Sequence, residues 1–257
     1  VSAIPIRLYP EQPKQVYLYA SCLVDMFDPN AGIAALQILE AQGIEVLWLE
    51  QQSCCGQPAY TSGYTDSAMK VAKQQFELFD TDIPVVVLSG SCAGMLRKHY
   101  PSLLEKECDS DALAKFSNQV FEWGEFLLNI CQIKLLDKGE TTKAVVHNSC
   151  SARREMGIAE TTMRLLKQMD KVELVEPKYA SECCGFGGSF AKRHQDISLA
   201  MVADKAKHLL ETQASFLLSA DWGCLLNINS YLEQQQSGMR GQHIATFIWQ
   251  RCYGGEL

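Results

Sequence analysis

The chain has 257 residues, 47% hydrophobic and 21% charged, with a net charge of −7, a composition that fits a folded protein with a full-sized core and excludes a disordered one. A pI near 5.3 leaves no electrostatic footprint for nucleic acid, and no stretch approaches the roughly 18 apolar residues of a membrane span. The opening "VSAIPIRLYPEQPKQ" lacks the apolar centre of a secretory leader, so the expected compartment is the cytoplasm. Eleven cysteines are then the anomaly. In a reducing compartment, clustered cysteines point to metal or redox chemistry rather than to a disulfide framework.

In chain order, short apolar runs read as buried strands at Val16–Tyr19, Ile44–Leu49, Val85–Leu88, Ala144–Val146, Val172–Val175 and Phe216–Leu218. Helical periodicity fills the intervals. Asp28 and Pro29 read as an N-cap and first-turn proline of a helix whose inward face is Ile33, Leu36 and Leu39, with Ile38, and which stops at Gly43. Residues 65–79 and 195–211 carry the same three-and-four spacing. Alternating strands and helices imply an α/β fold with parallel sheets.

Eight of the cysteines fall into a pattern written twice. Cys22, the pair Cys54-Cys55 and Cys92 are answered by Cys150, the pair Cys183-Cys184 and Cys224, at offsets of 128, 129 and 132. The flanks repeat as well: "VYLYASC" with "AVVHNSC", "IEVLWLEQQSCCG" with "VELVEPKYASECCG", "IPVVVLSGSC" with "ASFLLSADWGC". This is an internal duplication. Its expected units are an N-terminal extension, 1–15, and two cysteine-rich repeats, 16–135 and 136–257. Cys108, Cys131 and Cys252 lie outside the pattern and read as buried small hydrophobes.

Every patterned cysteine follows a strand and precedes a helix. In a parallel sheet such positions share one edge, where helix N-termini favour thiolates. Four sulfurs per half are therefore expected to converge. Gly56 and Gly185 supply the backbone freedom that lets adjacent cysteines face one centre. Four thiolates suit zinc or an iron–sulfur cluster. Ligands spread over some 70 residues are unlike the tight knuckles of structural zinc, so iron–sulfur is the better fit, with zinc left open for one half.

The double-cysteine arrangement resembles the CCG cysteine-rich domain, found in duplicate in the cysteine-rich component of heterodisulfide reductase and in the iron–sulfur subunits of anaerobic glycerol-3-phosphate dehydrogenase and glycolate oxidase. The extensions "SCCGQPAYTSG", "SGSCAGML" and "ECCGFGGSF" narrow the resemblance to the lactate-utilisation protein A family. That resemblance implies a non-flavin, iron–sulfur subunit of a complex oxidising L-lactate to pyruvate, beside a ferredoxin-type iron–sulfur subunit and a third small subunit. It also implies two [4Fe–4S] clusters, one on Cys22, Cys54, Cys55 and Cys92 and one on Cys150, Cys183, Cys184 and Cys224. Where related proteins have a fifth cysteine this chain has Met95 and Asn227, which speaks against a non-cubane cluster. A heterodisulfide-reductase-like catalytic subunit and a zinc-binding docking module are the alternatives.

Four further features bear on the site. His147, three residues before Cys150, is a candidate donor to a cluster sulfur or a strand-end histidine. Arg153 and Arg154 balance an anionic cluster or start a solvated helix. "GFGG" from Gly185 cradles an anion or brings backbone close to the cluster. Trp222, beside Cys224, shields the site or belongs to the core. No catalytic triad, P-loop or flavin motif is present.

Overall fold

The computed structural model describes residues 7–79 and 82–255; residues 1–6 of the expected N-terminal extension lie outside them. In the first half, β1 (Gln15–Tyr19) leads into α1 (Cys22–Phe27) and α2 (Pro29–Ala41). Then come β2 (Glu45–Leu47), α3 (Gln57–Thr61), α4 (Thr65–Leu78) and β3 (Val85–Val87). Helix α5 (Gly90–Gly94) runs through a π-helical turn, Met95–His99, into α6 (Tyr100–Leu104). After α7 (Ser110–Gln119) the half closes with β4 (Val120–Glu122) and α8 (Trp123–Asn129).

The second half repeats the plan. Strand β5 (Thr142–Val146) is followed by a π-helical turn, Ala152–Met156, then α9 (Ala159–Leu166), β6 (Val172–Val175), α10 (Phe190–Arg193) and α11 (Gln195–Leu210). Strand β7 (Phe216–Ser219), α12 (Trp222–Gln234), β8 (Arg240–His243), α13 (Ile244–Ile248) and a last π-helical turn, Trp249–Tyr253, complete it. Each half forms a four-stranded sheet, in the orders β2-β1-β3-β4 and β6-β5-β7-β8, and every pairing is parallel. All the strand C-termini of a sheet therefore lie along one edge.

The fourth strand of each sheet is an addition to the sequence reading. Strand β8 reads Arg-Gly-Gln-His, with no apolar run to announce it. It is held by its backbone ladder to β7, from Phe216↔Arg240 to Ser219↔His243. Helix α2 also differs from expectation. It buries Ala31, Ala34, Ala35, Ile38 and Leu39, while Ile33 is 47% exposed. Ile38 and Leu39 face inward as expected, but the rest of the three-and-four stripe is alanine, and α13 of the other half packs on α2.

The two sheets share one core. A single buried cluster contains Leu18, Val86 and Phe121 of the first half together with Ala144, Val146, Leu218 and Phe247 of the second. Smaller apolar clusters back the outer face of each sheet. Strands β4 and β8 each end on a buried ionisable residue. Glu122 caps α8 in a reciprocal box with Glu125. His243 caps α13, its Nδ1 accepting the Ala245 N–H at 3.1 Å. Its Nε2–H donates to the Leu88 and Ala220 carbonyls at 3.2 and 3.1 Å. Burial pushes the Glu122 carboxyl up to about 8 and the His243 imidazole down to about 4.

Candidate metal centre

The sheet edge places the cysteines in three ways. Cys22 opens α1 directly after β1, and Cys150 follows β5. Cys92 and Cys224 sit in the first turns of α5 and α12. The double cysteines lie in loops beyond β2 and β6, and each loop ends in a left-handed glycine, Gly56 at φ 82° and Gly185 at φ 79°. Any other residue at those positions would be strained. All eight patterned cysteines line one cavity of about 430 Å³ between the halves.

Within that cavity the thiols form two quartets with the same order of contact. In the first, Cys22 lies against Cys54, Cys54 against Cys55, and Cys55 against Cys92, the last pair at 3.3 Å between sulfurs. In the second the order is Cys150, Cys183, Cys184, Cys224. In both, the second sulfur of the series has its pKa lowered. Thiols of Cys22 and Cys55 donate to Cys54 and bring it down to about 3. Cys150 and Cys184 do the same for Cys183, down to about 2. The Gly185 N–H also points at the Cys183 sulfur, 3.4 Å away. The donating thiols of Cys22, Cys55, Cys150 and Cys184 are correspondingly pushed up. Each site thus offers four soft sulfurs in mutual contact, a donor set that fits an iron–sulfur cluster or tetrahedral zinc.

The remaining expected residues divide. His147 is 1% exposed, and its ring nitrogens meet no oxygen or nitrogen partner but interact with the Cys224 sulfur. Its donor atom and the sulfurs of Cys184 and Cys224 all lie within 4.8 Å of one another. Trp222 is half-buried on the cavity wall, its indole N–H unpartnered. Arg154 faces Cys150 electrostatically, whereas the Arg153 guanidinium donates to the Ser181 carbonyl at 2.7 Å. The glycine-rich loop reaches across to the other half: a Cβ on Gly188 would lie 3.7 Å from Pro58, and the hydroxyls of Ser189 and Ser62 are 2.6 Å apart. Met95 is fully buried. Asn227 donates to the Cys184 carbonyl at 2.8 Å, the service that the Tyr100 hydroxyl performs for the Cys55 carbonyl at 3.0 Å.

Other residues at the site carry no signature in the cysteine pattern. Asp221 lines the cavity and accepts the Ser89 hydroxyl at 2.7 Å and the Ser91 N–H at 2.8 Å. Its signal was positional, since Ser89 and Asp221 each stand three residues before the last cysteine of their half. Lys205 is fully buried on α11, and its ammonium donates to the Ala180 carbonyl at 3.0 Å. A lysine in line with the inward residues Ser198, Val202 and Leu209 was the legible clue.

The profile of the family described as CCG, cysteine-rich domain, matches residues 16–97 and 144–229. Lactate utilization protein A 2 of Bacillus cereus (strain AH820) is 36% identical over 235 residues, covering 91% of this chain and 97% of that protein. Lactate utilization protein A of Geobacillus sp. (strain WCH70) is 37% identical over 235 residues, covering 91% and 98%. Among solved structures, a hypothetical protein from Helicobacter pylori superposes with a TM-score of 0.70 at 11% identity. That likeness is one of fold; it covers 96% of this chain, which spans about half (51%) of the other.

Proposed function

Because the chain belongs to the lactate utilization protein A family, built on a duplicated CCG cysteine-rich domain, we propose that it is the iron–sulfur electron-transfer subunit of a complex oxidising L-lactate to pyruvate. The observation that carries this reading is the pair of thiol quartets, identical in contact order, on one cavity. Cys22, Cys54, Cys55 and Cys92 hold one [4Fe–4S] cluster, and Cys150, Cys183, Cys184 and Cys224 hold the other. When bound, such clusters supply one-electron transfer at potentials set by their surroundings.

The chain's own groups prepare the sites. Cys54 and Cys183, each beside two thiols that lower its pKa, are the sulfurs most readily deprotonated for ligation. Gly56 and Gly185 turn the backbone so that both cysteines of each pair contribute. Tyr100 and Asn227 fix the carbonyls of the buried cysteines, Cys55 and Cys184. Asn227 is thus occupied where a fifth cysteine stands in other CCG proteins, and Met95 is sealed in the core, which favours four-sulfur sites over the heterodisulfide-reductase type. Partners of the expected kind, a ferredoxin-type subunit and a third small subunit, supply the substrate chemistry, as this chain has no flavin motif. None of the helices among the described residues is long and apolar enough to cross a membrane.

The test is iron, acid-labile sulfide and zinc per chain on anaerobically purified protein, with an EPR spectrum after reduction. About eight iron and eight sulfide support the proposal. Zinc without iron, persisting after anaerobic reconstitution, overturns it.

A further inference from the structure

The two quartets share their sulfur geometry, yet the polar groups around them do not match. Tyr19 and His147 occupy the same position of the repeat, 128 residues apart. The Tyr19 hydroxyl lies close enough to Cys55 and Cys92 to feel their charge, but its single proton is donated to the Ser53 carbonyl. His147 has no such partner for either nitrogen, and its donor atom faces Cys184 and Cys224. A second pair sits one layer further out. A Cβ on Gly56 would meet the Ala68 carbonyl and Val71, and one on Gly185 would meet the Ser198 carbonyl and Met201. That alignment matches Gln75 with Lys205. Both are fully buried and both tie down the loop before the double cysteine. Gln75 does so as a neutral amide, its Oε1 accepting the Ser53 N–H at 2.9 Å; Lys205 does so as an ammonium.

We propose that the two metal sites differ in reduction potential, the site of the second half being the more positive, because His147 and Lys205 face it where the first half presents Tyr19 and Gln75. The inference rests on the iron–sulfur reading above. Reduction adds negative charge to an already anionic centre, and a nearby cation stabilises the reduced state more than the oxidised one. A ring nitrogen aimed at the sulfurs acts in the same direction, by donating N–H to sulfur. Arg154, facing Cys150, adds to the difference. Glu182, which faces Lys205, is itself paired with His208 at 2.8 Å. Asp221, bound to Ser89 and Ser91 of the first half and close to Cys224, weighs on both sites.

The experiment is an EPR-monitored redox titration of the anaerobically reconstituted full chain, with iron counted on every sample. Two separate reduction waves are expected. Cys184→Ser, which removes a ligand of the second site, leaves only the more negative wave. His147→Tyr and Lys205→Gln, which install the first half's residues, each shift the upper wave negative, leave the lower wave in place and keep the iron content. If His147→Tyr sheds iron, the reciprocal Tyr19→His decides the matter: it must lift the lower wave with iron intact. Coincident waves in the unaltered protein, or variants that move the wave of the other half, overturn the inference while leaving the iron–sulfur assignment standing. Absence of iron overturns the assignment itself.

Discussion

Around the first quartet the loop is held by Tyr19 and Gln75, both neutral; around the second, the same two positions are His147 and Lys205. The backbone between them barely differs. Each loop ends in a left-handed glycine, each buried cysteine carbonyl is capped from the helical segment that carries the last cysteine, and the first cysteine of each pair has its pKa lowered. The comparison teaches what a duplicated metal site must keep. Sulfur positions and the glycine turn are fixed by geometry. The charge of the surrounding shell is free to diverge, because a buried acceptor of a loop N–H, Gln75, and a buried donor to a loop carbonyl, Lys205, both hold the loop.

The largest expected effect breaks one half and spares the other. Cys55→Ser and Cys184→Ser should each remove about half of the bound iron, read by metal analysis. Loss of all iron from either variant would mean that the quartets form one interdependent site. Next come the two glycines. Gly56→Ala strains a left-handed residue at a cost of about 1–2 kcal/mol, with its new Cβ 3.4 Å from the Ala68 carbonyl. Gly185→Ala bears the same strain, and its Cβ would lie only 2.7 Å from the Ser198 carbonyl. It should therefore lower the melting temperature further than Gly56→Ala and deplete metal in its own half.

A third comparison uses the matched strand ends, Glu122 and His243. The folded state holds the Glu122 proton up to about pH 8 against an ordinary 4.5, so stability falls as pH rises through that interval. His243 has its folded value lowered to about 4 from 6.5, so stability falls as pH drops from 6.5 towards 4. Glu122→Gln keeps an acceptor for the helix cap and removes the alkaline loss. At pH 8 it should be more stable than the unaltered protein by about 1–3 kcal/mol in denaturant melts, and should leave the acid limb unchanged. The smallest effect belongs to Cys131→Ser. This cysteine lies outside both quartets, and burial alone pushes its thiol up to about 12. Iron content and both reduction waves should stay as they are.

Much of this site could be read from the sequence because metal ligation leaves a regular mark. Eight cysteines at matched spacing, each after an apolar run, are sufficient to set the sheet edge and the sulfur positions. The missing parts fail for identifiable reasons. Strand β8 is carried by backbone hydrogen bonds, and its residues Arg240, Gly241, Gln242 and His243 bear no strand pattern. Ile38 and Leu39 of α2 face inward as their size suggests, but the first turns of its inward stripe are alanines, which carry less hydrophobic signal than the exposed Ile33. Lys205 reads as a solvated charge until the fold turns its ammonium onto the Ala180 carbonyl. Asp221 acquires meaning only when the two halves are brought face to face.

That meeting has a consequence for how the molecule arose. Ser89 and Asp221 occupy the same place in their repeats and are hydrogen-bonded to each other. Leu88 and Ala220, also equivalent, share the single donor of His243. Equivalent residues touching across a junction are the signature of a self-complementary dimer. Two identical copies of the half would set serine against serine, or two buried carboxylates against each other. Two unlike halves escape that conflict: one side is the acid and the other the hydroxyl, and a lone histidine serves both carbonyls. Joining the halves in one polypeptide guarantees that unlike always meets unlike.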